Sequence, residues 1–215
     1  MTRMAQEHPI FDESIRRIRV LLSDTGLESL EQQVLERLVH SSGDPAIAQL
    51  LRFSPGACRV GVDALRSGAM ILTDTAMAMA AVLPMARRTL KVPVRTVLEW
   101  APAQAPSGST RTAMGLLSAW RELATMGPAP IVLIGSAPTA LQVLLEQVDA
   151  GQPAPSLVIG MPVGFVKVTE SKHRLAGSGL AQIRLEGTRG GAGLVAAVIN
   201  ALLRAAVVSD QDLAN

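Results

Sequence analysis

The chain reads as an α/β protein in which a mostly parallel β-sheet is sandwiched by helices. Three observations point there. Five short β-like runs, Met70 to Thr73, Val94 to Leu98, Ile131 to Ile134, Leu157 to Ile159 and Ile183 to Leu185, alternate with stretches of helical periodicity, which is the pattern of repeated βαβ units. Each run is followed by glycine, proline or hydroxyl residues suited to a loop at a strand's carboxyl end. The length of 215 residues and the 48% hydrophobic content are enough for one well-buried core, so a single domain over residues 1–215 is expected, with residues 1–8 and 209–215 frayed.

In chain order, Pro9 suits a helical first turn, and Phe11, Ile15, Ile18 and Leu22 fall on one face of the helix that follows. A second helix is expected from Ser29, where Ser29 and Gln32 have capping-box spacing, through Leu30, Val34 and Leu38 to a stop near Gly43 and Pro45. Further helices are expected at Val60 to Arg66, Thr75 to Val82, Thr112 to Met126, Ala140 to Val148 and Leu194 to Ala205. The segment Ala101 to Ser109 reads as a loop.

Composition removes several function classes. Lys and Arg number 20 against 18 Asp and Glu, a balance too mild for general nucleic-acid binding, and no basic run interleaves with aromatics. A polyanionic small molecule fits the arginines better. The single cysteine, Cys58, excludes an internal disulfide and reads as a small buried side chain; with three scattered histidines it offers no metal-ligand spacing. No apolar run approaches the roughly 18 residues of a membrane span, and the opening residues lack a signal-peptide core; the expectation is a cytoplasmic protein. With 2% aromatics and no tyrosine, the core must be aliphatic, and some of the nine methionines are candidates to face a flat ligand.

The candidate site residues share one position, the carboxyl edge of the sheet, where ligands of open α/β sheets bind. Gly135 to Thr139 joins a strand to a helix, so its N–H groups and the Ser136 and Thr139 hydroxyls suit an anion. Arg189-Gly190-Gly191 repeats the arrangement, with glycines that let backbone approach a ligand closely. Neither is a nucleotide-binding fingerprint. Arg111 opens a helix, where a lone cation is disfavoured unless an anion offsets it. Asp74 reads as a turn residue or orienting acceptor. Lys167 and Lys172 bracket Thr169-Glu170-Ser171 as helix-cap or surface charges. His40 ends its helix before the polar turn Ser41 to Pro45, with room to face a cleft, and an imidazole near pKa ~6.5 exchanges a proton at neutral pH. His8 and His173 have weaker cases. Neither a nucleophile elbow nor a hydrolytic carboxylate pair is present.

Several of these words, in order, resemble the precorrin-8X (cobalt-precorrin-8) methylmutases of corrin-ring synthesis. They are Ile10-Phe11-Asp12-Glu13-Ser14, Val39-His40 with Gly43-Asp44, Gly68 to Asp74, Thr110-Arg111-Thr112-Ala113, Ile134 to Leu141, Gly160-Met161-Pro162-Val163-Gly164-Phe165-Val166 with Glu170-Ser171-Lys172, and Arg189-Gly190-Gly191. The resemblance implies a three-layer αβα sandwich and an isomerisation that moves a methyl group from C-11 to C-12 of the macrocycle. By the same matching His40 is the proton donor, Ser14 and Arg111 bind substrate, and Ser136, Thr139, Lys167 and Arg189 are further substrate contacts. No cofactor or metal is implied; the partners are a tetrapyrrole polyacid and a second copy of the chain, with the site near a homodimer interface. A non-catalytic tetrapyrrole carrier of the same fold is the alternative. Glu186, Thr188 and Ala192 depart from the family's Arg-Gly-Arg and Ser around the glycine pair, Ser136 replaces an Asn, and Ala76 an acidic residue.

Overall fold

The computed structural model describes residues 8–208; the predicted fraying of residues 1–7 and 209–215 lies outside that range. Six strands, β1 (Leu51–Phe53), β2 (Ile71–Thr73), β3 (Val94–Thr96), β4 (Ile131–Ile134), β5 (Leu157–Gly160) and β6 (Gln182–Leu185), form one sheet in the order β1-β6-β5-β4-β2-β3. Every pairing is parallel except β1 with β6. Among the described residues eight α-helices surround it: α1 (Pro9–Leu22), α2 (Ser29–Ser42), α3 (Ala57–Arg66), α4 (Ala76–Arg88), α5 (Arg111–Leu123), α6 (Pro138–Asp149), α7 (Val168–Ala176) and α8 (Ala192–Ala205).

The central strands are apolar without interruption because both faces are covered. Ile131, Leu133, Leu157 and Ile159 face a core shared with α1 to α4 and α8, whereas Val132, Ile134 and Val158 face α5, α6 and α7. The predicted layered α/β class therefore holds, with all five expected strands present.

Four differences from the sequence expectation have physical causes. The second helix starts with Glu28, not Ser29, as its cap; the Glu28 N–H donates to Glu31 Oε2 at 3.4 Å, while Gln32 instead pairs with Thr25 and Glu36. α4 runs through Pro84 to Arg88, since Met85 and Ala86 are buried in the core that also holds α8, and that packing offsets the missing hydrogen bond. The run from Val94 stops as a strand at Thr96, whose hydroxyl accepts from Leu98 N–H and whose N–H donates to Glu99, opening a 3-10 turn over Val97–Trp100. Finally β1 and α7 were not anticipated. At the start of α1 the His8 ring caps the helix by accepting from Ile10 N–H at 3.2 Å.

α1 is fixed on α2 by burial of Ile18 and by Arg19, whose guanidinium makes two bonds, 2.8 and 3.1 Å, to the buried Glu36 carboxylate. Paired bonds of this kind set orientation as well as adding energy. That docking decides where Ser14 lies relative to α2.

Candidate active site

His40 occupies the last turn of α2, which ends because Gly43 adopts a left-handed conformation (φ 66°) and returns its N–H to Val39 O at 2.8 Å. Ser14, half-buried on α1, lies 2.8 Å from His40 Nδ1 through its hydroxyl. A hydroxyl donates or accepts as needed, so Ser14 can hold the ring in either protonation state. The imidazole meets the Phe11 ring in a T-shaped contact, with centroids 4.9 Å apart and planes at 75°, and Arg37 stacks over Phe11 at 3.9 Å. The ring is thus oriented through Nδ1 and its contact with Phe11, and the residue as a whole is exposed.

Asp44, just past the end of α2, forms an ion pair with Arg189 from the loop between β6 and α8. This joins the His40 region to the carboxyl edge. The same loop is held from inside by Lys172, only 1% exposed, whose ammonium donates to Gly187 O (2.8 Å) and Arg189 O (2.6 Å). Lys172 is therefore not the surface charge expected: it lies on the buried face of α7. Burial pushes its pKa down to about 8. The expectation for Gly190 also changes. A side chain there would put a Cβ 1.9 Å from Met161 O, so its close approach serves the neighbouring backbone rather than a ligand.

On the far side of the edge, Asp74 is fully buried at the end of β2, and its Oδ2 accepts from the N–H groups of Gly135 (3.0 Å), Ser136 (2.6 Å) and Ala137 (3.0 Å). The N–H groups predicted to meet a ligand are already taken by this carboxylate. Desolvation raises the Asp74 pKa against the pull of those three bonds, and Oδ1 is buried with no protein partner. The loop's remaining polar side chains are the Ser136 and Thr139 hydroxyls. Thr139 shares a 2.8 Å hydrogen bond with Thr110, which also caps α5 by accepting from Ala113 N–H at 3.1 Å.

Arg111, next to Thr110 and exposed, donates from Nε to Pro102 O at 2.9 Å. A loop carbonyl thus partly answers the unfavourable helix dipole that had suggested a bound anion. Lys167 stands exposed between β5 and α7 at φ 59°, preceding α7 without a side-chain cap bond.

All the sequence-derived residues but Lys167 thus fall into two groups: Ser14 and His40 joined through Asp44 to Arg189, and Arg111, Ser136 and Thr139 joined through Thr110 and Asp74. Sequence reasoning missed Asp44 as the tether and Lys172 as an internal clamp. Glu186, noted as a departure, pairs with Arg52 at 2.9 Å and Arg184 at 3.6 Å across β1 and β6. A cavity of about 360 Å³ between α1, α2 and α8 is lined by Phe11, which touches His40, but not by His40 itself. Among the described residues no His, Cys, Asp and Glu cluster suits a metal, and burial pushes the Cys58 thiol up to about 12.

A model of the Precorrin-8X methylmutase family matches residues 9–205. The chain is similar to the cobalt-precorrin-8 methylmutase of Synechocystis sp., 36% identical over 92% of this chain and 95% of the relative. It is likewise similar to the precorrin-8X methylmutase of Pseudomonas aeruginosa, 38% identical over 90% and 93%. The solved precorrin-8x methyl mutase from Thermus thermophilus superposes with a TM-score of 0.83 at 35% identity, covering 93% of this chain and 98% of that one. With a match spanning nearly the whole chain and a shared fold, the protein belongs to the precorrin-8X methylmutase family.

Proposed function

We propose that the protein is the isomerase that moves a methyl group from C-11 to C-12 of precorrin-8X, or of its cobalt-containing counterpart, to give hydrogenobyrinate or cobyrinate. The observation that carries this reading is the Ser14–His40 pair at the carboxyl edge of a methylmutase fold. Substrate and product are isomers, so the reaction consumes no second substrate, oxidant or nucleophile. What it needs is a placed proton and an orientation. His40, steadied by Ser14 and Phe11, supplies the proton from Nε2 to the conjugated macrocycle. Electron density is drawn toward the protonated position, the methyl migrates, and the proton returns to the imidazole. Arg111, Lys167 and Arg189 bind the peripheral carboxylates, with Ser136 and Thr139 as hydroxyl donors. Arg189 serves while paired with Asp44, so a substrate carboxylate shares that guanidinium.

The working enzyme is a cytoplasmic homodimer in this reading, with the site near the interface. Support comes from Phe165 and Val166, 92% and 76% exposed in the loop after β5, which provide apolar surface beside the edge for a second copy to cover. No helix among the described residues is long and apolar enough to cross a membrane.

His40→Ala should abolish conversion of precorrin-8X while retaining hydrogenobyrinate, seen as colour that co-elutes with protein in gel filtration. Full conversion by that variant removes histidine from the mechanism and leaves tetrapyrrole carriage without this chemistry as the better account.

A further inference from the structure

We infer that Lys172 is a positioning residue for substrate binding, acting from inside the protein through the backbone of Arg189; this rests on the proposed role of Arg189 as a carboxylate clamp. Lys172 reaches the loop from α7, and both of its bonds go to loop carbonyls, Gly187 O and Arg189 O. The rest of the loop is tied to the same part of the molecule. Gly164 N–H donates to Thr188 O at 3.2 Å, and Gly191 N–H donates to Met161 O at 3.0 Å. Backbone groups from residue 187 to residue 191 are thus held in place, and the Arg189 side chain, 51% exposed, leaves this fixed base to meet Asp44.

The charge itself argues for the role. An aliphatic side chain would fill the space without the cost of burying an ammonium, but it would leave two inward carbonyls without donors. The ammonium provides both bonds from one atom, so the Arg189 carbonyl cannot shift without breaking one of them. The residue whose carbonyl is clamped is the one whose guanidinium faces the His40 rim. Lys172 touches neither substrate nor reacting atoms; it fixes the origin from which Arg189 reaches.

The test uses the full-length protein and hydrogenobyrinate as probe. Lys172→Met should raise the dissociation constant about tenfold, the size of a lost charged hydrogen bond, while saturated turnover falls far less. Arg189→Ala should raise it too, and the double variant should bind no worse than Arg189→Ala alone, because both act through one group. Multiplying losses, or a folded Lys172→Met that binds as the wild type does, overturn the inference. Should Lys172→Met not fold, Lys172→Gln, which keeps a shorter neutral donor, is read in the same cycle. Hydrogen exchange at the 187–191 amides needs no ligand: faster exchange in the variant supports the clamp, and unchanged protection overturns it. A wild type that neither converts precorrin-8X nor binds the product instead refutes the functional reading, and the exchange result then still judges the clamp.

Discussion

Two loops at the carboxyl edge are held by buried ionisable groups of opposite sign. Asp74 gathers three N–H groups of the loop between β4 and α6 onto one oxygen, whereas Lys172 offers its ammonium to two carbonyls of the loop between β6 and α8. Each sign matches the backbone polarity its loop turns inward. At a helix start the free groups are N–H, and an acceptor is required. At a glycine turn that points carbonyls inward, a donor is required. The difference teaches that these internal charges serve the backbone first, and that what each loop leaves outside differs: hydroxyls on one side, a guanidinium on the other.

Removing the acceptor should have the largest effect. Asp74→Ala strands three N–H donors and should cost about 3 kcal/mol in urea-induced unfolding, whereas Asp74→Asn, which keeps an oxygen in place, should cost about 1 kcal/mol. Equal losses would mean that the carboxylate's charge, rather than its role as acceptor, holds the loop.

The pH windows should separate the two sites further. Asp74 has its pKa raised, chiefly by desolvation, so its contribution to stability is full below the ordinary carboxyl range and declines as pH rises through the folded value. Lys172 behaves oppositely. Its pKa falls to about 8 from 10.5, so between those values the unfolded chain holds the extra proton and stability rises with pH. Wild type should gain on Lys172→Met by on the order of 1–2 kcal/mol between pH 7 and 9.5, measured from urea midpoints. A constant difference between the two proteins would show that Lys172 keeps its ordinary proton affinity.

The smallest effect belongs to the outer hydroxyl pair. Thr139→Val breaks the bond to Thr110 and should cost about 1 kcal/mol or less of stability, with far-UV circular dichroism unchanged. A loss as large as that of Asp74→Ala would move the weight of that loop from Asp74 to the threonines.

Much of this was legible in the sequence, and what was missed has a common cause. The central strands β2, β4 and β5 declare themselves because burial on both faces makes them nearly unbroken apolar runs, while β3 and β6 are read through Arg95 and Arg184 from the apolar residues around them. α7 does not: its buried stripe is Val168, Ser171, Lys172 and Leu175, correct helical spacing with two polar members, so a hydrophobic pattern cannot show it. β1 is three residues long with an arginine at its centre, and unlike β3, which Val97 and Leu98 continue, it is followed at once by Ser54 and Pro55. His40 stands out by its place at a helix end and Ser14 only by the family words, yet their contact needs two helices docked by Arg19 and Glu36, which no local pattern encodes. Asp74 was seen as a turn acceptor, but that it would take the N–H groups meant for a ligand depends on a crossover from β2 to β4.

The lone reversed strand has a further effect. Because β1 runs against β6, with Leu51 opposite Leu185, the chain leaving α2 enters the sheet at the end where every other strand exits. A parallel β1 would have delivered that helix terminus, and the imidazole on it, to the opposite pole of the molecule. Three border residues, the first to fray in any sheet, therefore decide on which side of the protein His40 stands.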